Sequence, residues 1–335
     1  MASFSQFGND LYTGKRSFDF VKRRRIWFTI AIVMVVAAIV VPFLRGGFVF
    51  GIEFSGGSEF TVSNPAKQAD GTIDQGLASD AVTSVIPNAT PKISIVNGGD
   101  AVRVQTDLLK NAELNEVRDA LAKSYDVETD EVTSSFIGAT WGADITRQAL
   151  TALVVFILLA AIVMALYFRT WKMSLAALIA LFHDLIITAG VYGILGFEVT
   201  PAAVIGFLTI LGYSLYDTVV VFDKIRENTA EGTARTFGES VNLAVNQTLV
   251  RSINTSVVAL LPIGSILFIG AFVLGAGTLR DISLALFIGV LVGTYSTIFI
   301  AAPLYATFRQ GETIVRDSDK KKTTAVARAT SGAVR

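Results

Sequence analysis

The chain has 335 residues, of which 52% are apolar and 17% are charged, and its mean hydropathy is +0.57. The charged fraction is well below the roughly 25% typical of soluble domains, so the composition indicates a membrane protein. The net charge is zero, there are no cysteines and His183 is the single histidine. These counts exclude disulfides and metal sites built from cysteines or several histidines. We therefore expect no metal, no cofactor and no nucleic-acid partner.

Six stretches are long and apolar enough to span a membrane, which takes about 20 residues. They lie near Ile26–Leu44, Ile145–Phe168, Met173–Leu195, Ala202–Phe222, Ile253–Leu274 and Leu279–Phe308. The first follows a basic run as a signal peptide would, but its apolar core is too long and no small-residue cleavage site follows. We interpret it as a retained anchor. The predicted fold class is a polytopic α-helical membrane protein with six transmembrane helices.

Lysines and arginines are distributed unevenly around these spans. They cluster before span 1, between spans 2 and 3, between spans 4 and 5, and after span 6, whereas the short loop between spans 3 and 4 has none. The positive-inside rule therefore predicts that both termini are cytoplasmic. The predicted organisation is a cytoplasmic segment 1–25, span 1 at 26–45, an extracytoplasmic domain 46–143, spans 2–6 within 144–308 and a disordered cytoplasmic tail 309–335.

The segment between spans 1 and 2 has the pattern of a small α/β domain. Alternating strands and helical spacing follow each other in the order βαββαβ, which is the ferredoxin-like arrangement. The predicted elements are Glu59–Ser63, Asp74–Val85, Lys92–Val96, Val102–Thr106, Ala112–Tyr125 and Glu131–Ile137, with a hairpin turn at 97–100. The fold alone does not indicate a function.

Asp217 is the most informative residue within the spans. The stretch ILGYSLYDTVVVFDKIREN (210–228) begins as an apolar helix, yet it carries this carboxylate seven residues before Lys224. At about 1.5 Å per residue, Asp217 lies roughly 10 Å above the inner boundary. A charge buried there costs roughly 2.5–3.5 kcal/mol, and such residues commonly mark ion or proton pathways. The alternative is a structural carboxylate bonded to Tyr213 or to a hydroxyl of a neighbouring helix.

Three further polar residues are candidates for the same pathway. An aspartate near an arginine favours its charged form and one away from it favours the protonated form, so an Asp217 that alternates beside Arg251 could carry a proton. Arg251 is otherwise an anchor whose side chain reaches the headgroups. His183 and Asp184 in span 3 form a possible secondary relay. A satisfied buried histidine and a bracing aspartate are the alternatives.

Small residues indicate close helix packing. Gly289 and Gly293 form a GxxxG pattern in span 6, and Gly206 in span 4 adds to it. Ordinary packing within the chain is the plainer use of such glycines. Between spans 4 and 5, the stretch Glu227–Val250 has the spacing of one amphipathic helix that would lie along the inner surface.

Several of these stretches together resemble the SecF family, the smaller partner in the bacterial SecDF protein-export complex and a member of the RND-type superfamily. The resemblance covers nearly the whole chain apart from its two ends. It rests on GIEFSGG (51–57), FHD (182–184), FEVTPAAVIGFLTILGYSLYDTVVVFDKIREN (197–228), NQTLVRSINTS (246–256) and LFIGVLVGTYSTIFIAAPL (286–304).

The resemblance implies half of an RND-type transporter rather than an enzyme. Such a half pairs with a SecD homologue beside the SecYEG channel, in the bacterial plasma membrane, and uses proton flow to promote the export of preproteins, with H⁺ as the coupling ion. Asp217 and Arg251 match family positions implicated in the proton path. Two residues depart from the family pattern: Glu53 replaces an aspartate, and Tyr216 replaces an asparagine beside Asp217.

Two other functions remain open from the sequence. An RND-type small-molecule or lipid exporter half would need a larger outer domain with a substrate cleft than residues 46–143 provide. A passive translocon scaffold would tolerate replacement of both Asp217 and Arg251. An intramembrane protease is disfavoured, because neither a second aspartate in a protease-like motif nor a Ser–His arrangement is visible.

Overall fold

The computed structural model describes residues 4–45, 47–66, 72–96, 100–231, 236–271 and 277–310. The predicted turn at 97–100, the end of span 5 at Leu274 and the tail 309–335 fall largely outside these residues. The helices are α1 (Phe4–Tyr12), α2 (Arg24–Leu44), α3 (Ile52–Ser55), α4 (Gln75–Val85), α5 (Asn111–Ser124), α6 (Ala139–Phe168), α7 (Trp171–Leu195), α8 (Pro201–Glu231), α9 (Phe237–Ser265), α10 (Gly277–Ser296) and α11 (Ala302–Phe308).

Six of the described helical segments are long and apolar enough to cross a membrane, which confirms the predicted fold class. They are Arg24–Leu44, Thr140–Phe168, Trp171–Leu195, Pro201–Glu231, Phe237–Ile269 and Leu279–Phe308. Two of them contain π-helical stretches: Ile266–Ala271 extends α9, and Thr297–Ala301 joins α10 to α11. The protein is therefore a multi-pass membrane protein.

The prediction of a separate amphipathic helix over Glu227–Val250 is wrong. Span 4 continues as helix to Glu231, and span 5 already begins at Phe237, so two long helices share that stretch. The second start is fixed locally: the Thr236 hydroxyl accepts a hydrogen bond from the Glu239 backbone N–H, and the Glu239 carboxylate accepts one from the Thr236 N–H. The apolar residues that suggested a surface helix are buried instead, because α1, α8 and α11 cover them.

The domain between spans 1 and 2 has the predicted βαββαβ order. Its strands are β2 (Gly57–Ser63), β3 (Lys92–Val96), β4 (Ala101–Thr106) and β5 (Val132–Ile137), in the antiparallel order β3-β4-β2-β5. One face of the sheet packs Phe60, Val62, Val102 and Val104 on α4 and α5, and these side chains are fully buried. The alternation of the strands therefore places the polar residues Glu59, Arg103 and Gln105 on the other face.

A short parallel sheet connects the domain linker to the membrane helices. Strand β1 (Val49–Phe50), which follows span 1, pairs with β6 (Glu198–Val199), which lies between spans 3 and 4. Gly196 ends α7 in the left-handed conformation with φ 72°, where glycine is favoured. We call this end of the bundle the domain side, and the opposite end, which carries α1 and the start of α2, the terminal side.

Candidate functional site: two buried carboxylates

Asp217 lies on the buried face of α8 together with Ile210, Ser214 and Val221. Its side chain is 8% exposed. The Ser252 hydroxyl on α9 donates a hydrogen bond of 2.8 Å to Asp217 Oδ1. The second oxygen, Oδ2, is buried and has no hydrogen-bond partner among the described residues. Since a buried carboxylate is normally paired or fully hydrogen-bonded, Asp217 is an incompletely satisfied acid.

Arg251 does not form an ion pair with Asp217, although the two residues lie on neighbouring helices. Its guanidinium instead donates to the Tyr216 hydroxyl at 3.3 Å, and both side chains are exposed on the surface of the bundle. Because the next residue, Ser252, is turned about 100° around the helix, it faces α8 where Arg251 does not. Tyr216, which replaces the asparagine of the family pattern, therefore contacts Arg251 and not the Asp217 carboxylate.

Asp184 in span 3 has very different surroundings. It is 1% exposed, and its Oδ2 accepts hydrogen bonds from Ser214 on α8 at 2.5 Å and from Ser296 on α10 at 2.8 Å. Its Oδ1 lies 3.2 Å from Nδ1 of His183. One carboxylate thus joins three helices through side-chain hydrogen bonds.

His183 is buried beside Asp184 and uses only one of its ring nitrogens. Its Nε2 has no hydrogen-bond partner in the described part of the chain, and the same is true of the nearby Tyr295 hydroxyl. The two rings lie 6.3 Å apart between centroids. The structure thus brings His183 and Asp184 together, but it does not bring either side chain into a hydrogen bond with Asp217.

The two carboxylates are linked through α8, because Ser214 and Asp217 are three residues apart on one helical face. Other hydroxyls continue these polar contacts. The Thr218 hydroxyl on α8 lies 3.0 Å from that of Thr297 in the π-helical stretch after α10, and Ser256 on α9 is hydrogen-bonded to Thr294 on α10. A hydroxyl of a neighbouring helix is one partner that the sequence predicts for Asp217, and Ser252 supplies it. The sequence does not identify Ser214 or Ser296, because only the helix rotation shows which serines face inward.

Glycines allow α8 and α10 to approach closely at this level. A Cβ added to Gly289 would lie 2.2 Å from Ile210 Cγ1, and one added to Gly206 would lie 2.6 Å from Ala285 Cβ. At Gly293 the contact would be milder, 3.1 Å from Ser214 Cβ. Because real side chains do not tolerate such distances, these glycines permit the backbone separation at which Ser214 and Ser296 both reach Asp184.

A second polar cluster joins the domain to the membrane helices. Arg103 on β4 contacts Glu59 on β2 at 3.4 Å and Glu198 on β6 at 3.5 Å. Gln105 donates to Glu59 at 3.0 Å. Burial raises the pKa of Glu198 and of the nearby Glu53, while Arg103 opposes both shifts. The polar face of the sheet therefore rests on the domain side of the bundle through one shared arginine.

Comparison with known proteins gives a consistent family. The family described as protein export membrane protein SecD/SecF, C-terminal, matches residues 117–311. A protein translocase subunit SecF of Streptomyces coelicolor is 42% identical over 319 residues, which is 93% of this chain and 82% of that protein. The subunit of the same name from Mycobacterium tuberculosis is 40% identical over 327 residues, covering 94% and 72%.

Solved structures extend the likeness to the fold. A crystal structure of SecDF, a translocon-associated membrane protein from Thermus thermophilus, matches with a TM-score of 0.72 and 30% identity, and it covers 88% of this chain. SecDF in a super-membrane-facing form matches with a TM-score of 0.60 and 28% identity over 93% of this chain. The chain spans only 39% and 40% of those two SecDF chains. Sequence, span number and fold agree, and the chain belongs to the SecD/SecF family of protein export membrane proteins.

Proposed function

We propose that this chain is a subunit of a protein translocase that works with a SecD-type partner and couples proton flow to preprotein export. Membership of the family supports the translocation role. The SecDF polypeptides, of which this chain covers about two-fifths, support the partnership. Preproteins and the SecYEG channel are the expected further partners, as the resemblance implies.

The state of Asp217 is the single observation that carries the proton-coupling proposal. The carboxylate is buried in a membrane helix with one hydroxyl donor and one unpartnered oxygen. Protonation of Oδ2 would remove the negative charge of the carboxylate. The new O–H group could then donate a hydrogen bond to a neighbouring acceptor or to a water molecule. A movement of charge across the membrane is worth about 2.3 kcal/mol per 100 mV, which is enough to bias a conformational equilibrium.

The exposed position of Arg251 supports a second polypeptide at this site. A guanidinium open to acyl chains near Asp217 would carry a cost of roughly 2.5–3.5 kcal/mol or more, depending on its depth. A partner with polar groups, or water held between the two chains, would cover Arg251 and Tyr216. Span 2 also leaves most of its surface uncovered, because only 6% of its most apolar stretch is buried.

The distribution of basic residues supports one orientation. Four of them lie at the terminal side, two just before α2 and two in its first turn: Lys22, Arg23, Arg24 and Arg25. By the positive-inside rule this supports a cytoplasmic terminal side and an α/β domain on the outer face of a bacterial plasma membrane.

Proton flux in vesicles tests the proposal directly. The chain would be reconstituted with its SecD-type partner, and acidification of a dye-loaded interior would be followed under an imposed gradient. Asp217→Asn is expected to abolish the flux while assembly with the partner persists. Asp223→Asn is the matched control, because Asp223 lies on the same helix but is only partly buried and is bonded to Tyr167. Arg251→Gln is expected to reduce the flux.

Two outcomes would contradict the proposal. Unchanged flux and unchanged export in both Asp217→Asn and Arg251→Gln would favour the passive scaffold. Proton flux that responds to a small apolar solute, with no effect on export, would favour an exporter half.

A further inference from the structure

A cavity of about 480 Å³ lies at the terminal side of the first span, away from both carboxylates. Its wall is the extended segment between α1 and α2. Two amides of α9 hold that segment in place: Asn246 accepts from the Phe18 N–H at 2.8 Å and donates to the Phe18 carbonyl at 3.0 Å, and Asn242 accepts from the Phe20 N–H at 2.9 Å. The cavity is thus a fixed feature of the packing rather than a gap beside a loose loop.

The floor of the cavity is aromatic. Phe299 lies in the π-helical stretch of span 6, and its ring centroid is 4.5 Å from that of Trp27 and 5.5 Å from that of Phe20. Leu249 completes the apolar lining. Single-turn π stretches within α-helices occur frequently at functional sites. Trp27 is in the first turn of α2, which is the headgroup level where tryptophan is enriched.

The rim of the cavity carries one basic side chain, Arg23, and one acidic side chain, Asp19. Arg23 has no carboxylate partner among the described residues, whereas the nearby Arg16 pairs with Asp10 at 3.5 Å and Arg24 bonds to Gln310 at 2.9 Å. The same rim coincides with the amino end of α2, whose peptide dipoles add partial positive charge.

One donor at the cavity lacks an acceptor. The indole Nε1 of Trp27 is buried and has no hydrogen-bond partner in the described ranges. A buried N–H without an acceptor is destabilising. An oxygen atom delivered from the cavity after a small rotation of the indole would remove that destabilisation.

We propose that this cavity binds the headgroup of an anionic phospholipid. The phosphate lies between the Arg23 guanidinium and Trp27 Nε1, and the first acyl carbons cover the Phe20 and Phe299 rings. Asp19 accepts a hydrogen bond from a headgroup hydroxyl, such as those of glycerol. An arginine at the rim, above an apolar floor at headgroup depth, matches the division of such a lipid into a charged phosphate and apolar acyl chains.

Quenching of Trp27 fluorescence by brominated lipids tests the proposal. The chain has three tryptophans, so Trp141→Phe with Trp171→Phe leaves Trp27 as the single reporter. Both replaced side chains are exposed, at 61% and 70%, so the variant should fold. Vesicles of phosphatidylcholine would contain either brominated phosphatidylglycerol or brominated phosphatidylcholine at equal mole fraction.

Brominated phosphatidylglycerol is expected to reach half-maximal quenching at a mole fraction about fivefold lower than brominated phosphatidylcholine does. This ratio corresponds to the roughly 1 kcal/mol that one basic residue contributes at an anionic surface. Arg23→Gln should abolish this preference. Arg25→Gln is the matched control, because Arg25 belongs to the same basic run but does not line the cavity. It should retain most of the preference.

Three results would overturn the proposal. Equal quenching by the two lipids would remove the selectivity. An equal loss of the lipid preference in Arg23→Gln and Arg25→Gln would indicate a diffuse basic surface. Relief of quenching by millimolar inorganic phosphate would indicate a soluble-anion site.

Discussion

Asp184 and Asp217 are both buried aspartates in the membrane helices, and they differ in how completely they are hydrogen-bonded. Asp184 contacts Ser214, Ser296 and His183, whereas Ser252 is the one hydrogen-bond donor to Asp217 among the described residues. A carboxylate with its acceptors filled fixes the helices that supply the donors. One with an unpartnered oxygen can change its partners or its protonation at low cost. The comparison favours a bracing role for Asp184 and a coupling role for Asp217.

The largest expected effect separates these roles by stability. Asp184→Ala leaves the Ser214 hydroxyl without its acceptor and leaves Ser296 only the Gly293 carbonyl, so it should lower the free energy of unfolding by about 3 kcal/mol. Asp217→Ala removes one hydrogen bond and should cost about 1 kcal/mol. Thermal unfolding of both variants in detergent measures the difference. Equal losses would remove the distinction between the two sites.

A second variant acts on the helix contact that supports Asp184. Gly289→Ala should destabilise the protein by about 2 kcal/mol, because the new methyl group would overlap Ile210 and force α8 and α10 apart. Gly212→Ala is the control on α8, since its Cβ would meet nothing within 4 Å and alanine is the better helix former. Unfolding midpoints check the pair, and equal midpoints would mean that α10 can move without cost.

A third variant tests whether Ser252 serves Asp217. Ser252→Ala should reduce proton-coupled export several-fold while lowering stability by only about 1 kcal/mol, because it removes the single donor to the carboxylate. Ser265→Ala on the same helix is the control, since that exposed hydroxyl bonds only to the Leu261 carbonyl. Export into vesicles is the measurement. Identical export activity in the two variants would show that Ser252 has no part in the mechanism.

The smallest effect concerns a carboxylate outside the membrane. Burial raises the pKa of Glu198 above its ordinary value of 4.5, so the folded chain binds this proton more tightly than the unfolded chain does. The resulting stabilisation is full below pH 4.5 and is lost as the pH rises through the raised pKa. Glu198→Gln should therefore flatten the decline of stability from acid to neutral pH. Glu116→Gln, an exposed change on α5, should not alter it.

The parts of the structure that were predictable from sequence depend on local patterns. Apolar length gives the six spans, and strand alternation gives the βαββαβ order. The burial of Asp217 follows from its place in an apolar run. The failures depend on geometry that periodicity does not fix. The continuation of span 4 to Glu231 was hidden because a polar, solvated helix and a loop have similar compositions.

Long-range contacts were also beyond the sequence. Arg251 was expected beside Asp217, but helix rotation places Ser252 there. The contact of Arg103 with Glu198 joins residues 95 positions apart, and no short motif marks it. The basic run before span 1 was interpreted as a topology signal, whereas the cavity that it borders depends on how Asn242 and Asn246 hold the segment.

The bridge between Arg103 and Glu198 has a mechanical consequence. Glu198 is three residues before Pro201, the first residue of the helix that carries Asp217. That helix is continuous, and Asp217 lies roughly 24 Å along it at about 1.5 Å per residue. A force applied to the sheet would therefore act at the start of this helix, which carries Asp217 near its middle. A force on the α/β domain and a change in the surroundings of Asp217 would then be coupled through one continuous helix.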